Sequence, residues 1–115
     1  MRRVVVTGLG IVSPIGNNAQ EVSAALTAGQ SGVEFNPDMA ERGFRSHVSG
    51  ALPIDVAEHV DKRAWRLMGP GAAYGHTAME QAIADAGLSE AEVVNERTGL
   101  IAGSGGPSTS AMLAA

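Results

Sequence analysis

The first apolar segment is a run of β-branched residues, Val4, Val5 and Val6, stopped by Thr7-Gly8. A short continuous apolar run bounded by a turn signal predicts a strand buried on both faces, as in parallel sheets. The loop after it is punctuated by Gly10, Pro14 and Gly16. The period then changes. Asn18 and Glu21 have capping-box spacing, and Val22, Ala25 and Leu26 give the helix that follows an apolar face ending at Gly29. From 30 to 60 the pattern weakens, with Gly32–Phe35 and His47–Leu52 reading as short extended pieces. Asp61 predicts a helix cap for the stretch through Met68. Gly69-Pro70-Gly71 interrupts that helix, because proline lacks the amide and clashes with the preceding turn. Ala72, His76, Met79, Ile83 and Ala86 follow at spacings of 4, 3, 4 and 3, one face of a helix closed by Gly87. Ser89 and Glu92 predict a second capping box, and Thr98–Ala102 a second strand running into Gly103-Ser104-Gly105-Gly106-Pro107.

The order strand, helix, irregular segment, helix, strand predicts an α/β fold. Two strong strands make an incomplete layer, since a parallel pair needs a sheet covered on both faces. The sequence therefore reads as part of a larger fold, without repeats or low-complexity tracts.

Composition adds further constraints. Hydrophobic residues at 44 % and charged residues at 17 % support a buried core. With 3 % aromatics and 15 glycines, that core is built from small aliphatic side chains and closely approaching backbone. A formal net charge of −4 argues against a surface that coats nucleic acid, while leaving room for a local basic patch facing an acidic partner. The absence of cysteine removes disulfides, thiolate metal sites and a cysteine nucleophile from these residues. No run approaches the roughly 18 apolar residues of a membrane span. The stretch after Arg2-Arg3 meets Gly8 too soon for a signal-peptide core. The expectation is a cytoplasmic protein with neither membrane nor nucleic acid as partner.

Gly8 and Gly10 occupy the first two places of a G-x-G-x-x-G dinucleotide fingerprint. The third place is Ser13, Pro14 follows, and helix onset is delayed to about Asn18, so no helix N-terminus offers its amides to a pyrophosphate. Glu34 and Asp38 are available as acidic partners but follow no second clear strand. The structural alternative is that the glycines allow a tight turn and close backbone approach. His76, on the apolar face of the best helix, reads as a buried, hydrogen-bonded histidine. His47 and His59 lack metal-ligand spacing, and Met68, Met79 and Met112 read as core fillers. Ser104, Ser108, Thr109 and Ser110 lie in no G-x-S-x-G elbow. No catalytic residue, cofactor or metal site is expected.

The stretch RRVVVTGLGIVSPIGNN, the helix MEQAIADAGL followed by RTGLIAGSGGP, the segment RSHVSG and the basic DKRAWRLM together resemble the β-ketoacyl-acyl-carrier-protein synthases over the whole chain. IGNN, SHVSG and GSGG look more like the type I than the type II enzymes. The resemblance implies a thiolase-like fold in α-β-α-β-α layers, of which residues 1–115 are part of the N-terminal half. It also implies a homodimeric parent enzyme and, as partner, acyl carrier protein in its acyl and malonyl forms. The implied reaction is a decarboxylating Claisen condensation without metal or nucleotide. Its cysteine and two histidines belong to motifs downstream of residue 115, so this chain alone is expected to be inactive.

Two sets of residues take on roles under that resemblance. Lys62, Arg63 and Arg66 flank Trp65. By themselves they fit a solvated face as well as a site, but positive charge on an acidic chain steers an acidic partner. The resemblance implies carrier-protein docking, with Lys62 and Arg66 ahead of Arg63. Gly105, Gly106 and Pro107 permit a tight strand exit; the resemblance implies that this loop borders the acyl-chain tunnel, Gly106 leaving room for the chain. The alternatives are a carrier-protein-binding module without chemistry, a Rossmann-type dinucleotide-binding domain, and a thiolase-fold relative acting on polyketides or coenzyme A esters.

Overall fold

The computed structural model describes residues 3–106 and 112–113. In chain order the elements are α1 (Ala19–Thr27), β1 (Val33–Phe35), α2 (Pro37–Glu41), β2 (Val48–Gly50), a 3-10 turn (Val56–Glu58), α3 (Lys62–Trp65), α4 (Pro70–Ala86) and α5 (Glu90–Val93). They fall into two compact units. One is Ile11–Ile54; the other joins the residues up to Gly10 to the chain from Asp55 onward.

In the Ile11–Ile54 unit, α1 starts and stops where its sequence says. The Asn18 carboxamide accepts the Glu21 amide at 2.9 Å. The Glu21 carboxylate reaches back to the Asn17 amide (2.8 Å) and the Asn18 side-chain nitrogen (2.7 Å). At the other end Gly29 adopts φ 64°, donating to Leu26, while Gln30 donates to Ala25. This is a Schellman closure, open to glycine because the left-handed region costs it nothing. Of the expected apolar face, Ala25 is buried and Leu26 is exposed. β1 and β2 pair antiparallel in the register Val33–Gly50, Glu34–Ser49 and Phe35–Val48. Pro14 sits against both Gly32 and Gly50, where a Cβ would lie 2.6 and 2.7 Å from its ring. Asn36 ties α2 to β2, accepting the Met39 amide and donating to Ser49 Oγ at 2.9 Å.

The second unit is organised by α4. Pro70 does not merely end the preceding turn: it occupies the first position of α4, behind Gly69. Its missing amide would have had no helical partner there. Gly87, at φ 65°, closes the helix with Leu88 donating to Ile83. The buried face is rotated from the expected one. Ala73 and Thr77 are buried, with Val56 and Val60 from the 3-10 region forming the rest of the core, whereas Met79 is 42 % exposed. Thr77 satisfies its hydroxyl on the Ala73 carbonyl at 3.0 Å. The 3-10 turn takes the Ala73–Thr77 side, and another side of the helix is set by small residues. Gly8 and Gly10 lie against the small residues Ala78, Ala82 and Ala86, where backbone comes close enough that an added Cβ at either glycine would strike helix atoms. His76 is correspondingly half-exposed, its Nδ1 3.6 Å from Glu80 Oε2 and not in a hydrogen bond.

Both expected strands are corrected. Val4–Val6 and Thr98–Ala102 are extended or irregular rather than sheet, and the described residues contain only the β1–β2 sheet. Val4 is 91 % and Ile101 98 % exposed. A β-branched run specifies a sheet position, but a strand exists only where a neighbour takes its amides and carbonyls, and no described segment does so here. Thr98 is held elsewhere: its hydroxyl donates to the Glu92 carbonyl at 2.9 Å and its amide to Asn95.

The turn at α5 makes a testable electrostatic device. Glu92 accepts from the Ser89 hydroxyl (2.6 Å) and the Ser89 amide (2.8 Å). These bonds, the hydroxyl first, hold its carboxyl below the usual glutamate value. A depressed acid contributes stability that is present above its unfolded pKa and lost as pH falls through the folded one. Ser89→Ala should therefore raise the Glu92 pKa toward the ordinary value and blunt the acid-side loss of this turn. Carboxyl NMR titration reads it, and an unshifted Glu92 would refute the assignment.

Candidate functional site

Asp61 starts α3 by accepting the Arg63 amide at 2.9 Å and the Ala64 amide at 3.4 Å. Short-range acceptance by an aspartate is a common way to begin a helix. The helical backbone then continues past Trp65, with Leu67 donating to Ala64 at 2.9 Å and Met68 to Trp65 at 3.2 Å. This sets the faces. Lys62, Arg63, Arg66 and Leu67 are all exposed, while Ala64, Trp65 and Met68 are half-buried. Among the described residues none of the three cations is in an ion pair. Their charge is directed to solvent, where a partner's carboxylates can reach it. The structure thus gathers Lys62, Arg63 and Arg66 on one face.

Gly105 and Gly106 lie in an exposed bend, and Pro107 lies outside the described residues. Among the described residues, a Cβ at Gly105 or Gly106 would meet nothing within 4 Å. Ser104 holds the bend, its hydroxyl donating to the Gly106 carbonyl at 2.7 Å. That bond spends the hydroxyl on its own loop, with no base beside it among the described residues. Ser108, Thr109 and Ser110 also fall outside the described residues. The cationic face and the glycine bend share no hydrogen bond or ion pair among the described residues.

The structure removes the dinucleotide reading. The space that a pyrophosphate needs beside Gly8 and Gly10 is filled by α4, and the N-terminus of α1 already carries the Glu21 carboxylate. An anion there would meet a negative charge rather than free amides. An open cleft of about 590 Å³ in the Ile11–Ile54 unit, unforeseen from sequence, is lined by Pro14, Ile15, Ala25 and Pro53, with Glu21 and Glu34 as its charged groups. It offers no cation to a phosphate. His47 packs its ring edge-on to Phe35 at 6.4 Å. Among the described residues no helix is long and apolar enough to cross a membrane.

The family model described as "Beta-ketoacyl synthase, N-terminal domain" matches residues 1–115. The chain is 53 % identical over 109 residues to 3-oxoacyl-[acyl-carrier-protein] synthase 1 of Escherichia coli K12, covering 94 % of this chain and 27 % of that protein. It is 51 % identical over 105 residues to the synthase 1 of Haemophilus influenzae, covering 91 % and 26 %. Against synthase 2 of Vibrio cholerae the identity is 37 % over 105 residues, covering 90 % and 25 %. A solved β-ketoacyl synthase from Burkholderia phymatum superposes with a TM-score of 0.66 at 35 % identity, covering 80 % of this chain and 23 % of that one. The chain thus spans about a quarter of the length of these relatives, and their names are those of synthases rather than of non-catalytic binding modules.

Proposed function

Because the chain belongs to the β-ketoacyl synthase family, matching its N-terminal domain from end to end, we propose that it is the N-terminal portion of a 3-oxoacyl-acyl-carrier-protein synthase. The observation that carries this is the 51–53 % identity to two synthases of type 1 across more than nine-tenths of the chain. The lower 37 % identity to a synthase 2 supports the type I over the type II assignment. The reaction is a decarboxylating condensation. A malonyl thioester on acyl carrier protein loses carbon dioxide, the resulting enolate carbon attacks an acyl thioester held on the enzyme's cysteine, and the cysteine thiolate leaves. The product is a 3-oxoacyl thioester on the carrier protein, and the developing oxyanion calls for placed donors. The cysteine and histidines belong to motifs beyond residue 115. Residues 1–115 supply core and surface to the N-terminal half of a thiolase-like, α-β-α-β-α layered fold, in a cytoplasmic homodimer.

In this reading Lys62, Arg63 and Arg66 receive acyl carrier protein, and Gly105, Gly106 and Pro107 border the acyl chain. The full-length protein, given acyl- and malonyl-carrier protein, should release carbon dioxide and form the 3-oxoacyl product; failure of both would overturn the reading. Gly106 offers a finer measurement. Among the described residues nothing lies within 4 Å of a Cβ at Gly106, and the melting temperature of Gly106→Ile in the full-length enzyme is read beside its kinetics. If the loop borders the acyl chain, the variant should shift preference toward shorter acyl groups, on the order of tenfold in relative kcat/KM, the scale of a few misplaced methylenes. An unchanged chain-length profile removes Gly106 from the tunnel.

A further inference from the structure

The solvent face of α3 and its continuation has one residue that its polarity does not explain. Positions 62, 63, 66 and 67 fall on one side of the winding, because residues three and four apart (63 with 66, 62 with 66, 63 with 67) adjoin on a helical surface. Three of these corners carry cations; the fourth is Leu67, 91 % exposed. The half-buried side of the same segment already has Ala64, Trp65 and Met68, so Leu67 is not the residue that anchors it. The Leu67 backbone is held, its amide on the Ala64 carbonyl at 2.9 Å, which continues the winding of α3 and places position 67 one turn on from Arg63.

We infer that Leu67 is an apolar contact for the protein that docks on these cations, an acidic partner with a hydrophobic spot at the centre of its carboxylates. This rests on the reading of α3 as the carrier-protein surface and adds to it a term that salt does not screen. The commitment to an acidic protein follows from charge complementarity: three cations without carboxylate partners among the described residues stand on a chain of net charge −4. The division of labour follows from physics. Exposed cations raise the encounter rate and lose that effect within a Debye length as salt rises. A desolvated leucine at the middle of the contact slows release instead, and contributes equally at all ionic strengths.

The test compares Leu67→Ser, Leu67→Met and the Lys62→Glu/Arg66→Glu pair in the full-length enzyme. KM and kcat are read with substrate on acyl carrier protein and with the same acyl groups on a carrier-free thioester, at low and high salt, beside the melting temperature. Leu67→Ser should raise KM for the carrier-bound substrate about five- to tenfold at both salt concentrations, the size of a buried contact's truncation. It should leave kcat and the carrier-free substrate unchanged, and Leu67→Met should restore the low KM. Three results overturn the inference while leaving the docking reading in place, each alongside a salt-sensitive rise in KM for the charge-reversed pair. They are an unchanged KM for Leu67→Ser, an effect of Leu67→Ser that vanishes at high salt, and a drop in melting temperature with equal losses on both substrates, which would make Leu67 a packing residue. If neither Leu67→Ser nor the charge-reversed pair changes KM, the docking reading itself falls.

Discussion

Gly10→Ala is expected to destabilise the full-length protein by about 3 kcal/mol, the upper part of the range for forcing extra volume into a packed site. The added Cβ would overlap the Ala78 carbonyl oxygen, and would stand 2.8 Å from the Ala78 carbonyl carbon and 2.9 Å from the Ala82 amide nitrogen. These are backbone atoms inside a helix, which cannot swing aside as a flexible side chain can. Gly10 is not among the glycines at positive φ, so the penalty is contact rather than conformation. Gly75→Ala is the control. Gly75 lies within α4 with nothing within 4 Å of its would-be Cβ, and there alanine should gain about 0.5–1 kcal/mol through reduced chain entropy. Thermal unfolding of the two variants reads the contrast. A Gly10→Ala protein that melts with the wild type would show that the close approach is not sustained in solution.

The charge-reversed pair Lys62→Glu/Arg66→Glu carries the second large effect. With substrate on acyl carrier protein, KM at low ionic strength should rise by about tenfold or more, mainly through slower association. It should move back toward wild type as salt screens the new repulsion. Turnover at saturation and the reaction with a carrier-free thioester should be unchanged, because neither residue is placed at the reacting atoms. Both side chains are exposed and unpaired among the described residues, and an unchanged melting temperature of the full-length variant shows that the kinetics report docking. A KM that is unchanged at low salt would separate this face from the carrier protein.

How far the sequence could be read depended on the range of the interaction. Ends of helices were legible because they close over a few residues: Asn18 with Glu21, Gly29, Asp61, Gly87 and Ser89 with Glu92 all act where their spacing places them. Gly32–Phe35 and His47–Leu52 were legible as short extended pieces, but their antiparallel pairing across α2 was not, because it joins residues up to seventeen positions apart. Val4–Val6 and Thr98–Ala102 were misread as strands because their apolar pattern states a demand for neighbours without supplying any. The face of α4 was misread because periodicity weighs Met79 and Ile83 above alanine. The helix instead turns its small residues toward Gly8 and Gly10, which lie far away in sequence. For the candidate site, the cluster of Lys62, Arg63 and Arg66 could be seen from charge. Leu67 could not, since its exposure depends on how the turn after Trp65 is wound.

The glycine–alanine approach also sets an order of events. The bond from the Leu9 amide to Asp85 Oδ2, at 2.9 Å, joins residues 76 positions apart. At a ribosomal rate of about 5–20 residues per second, the segment carrying Val4–Val6 waits roughly 4–15 s before its helix exists. Val4–Val6 themselves stay exposed once α4 is in place, Val4 at 91 % and Val6 at 88 %, which leaves a strongly β-prone tripeptide open to edge-to-edge association. The two arginines that precede it, Arg2 and Arg3, put like charges beside the sticky segment and discourage pairing between nascent copies. Gly8 and Gly10 thus wait for a helix made roughly seventy residues later, and the arginines stand beside a β-prone segment that this helix leaves uncovered.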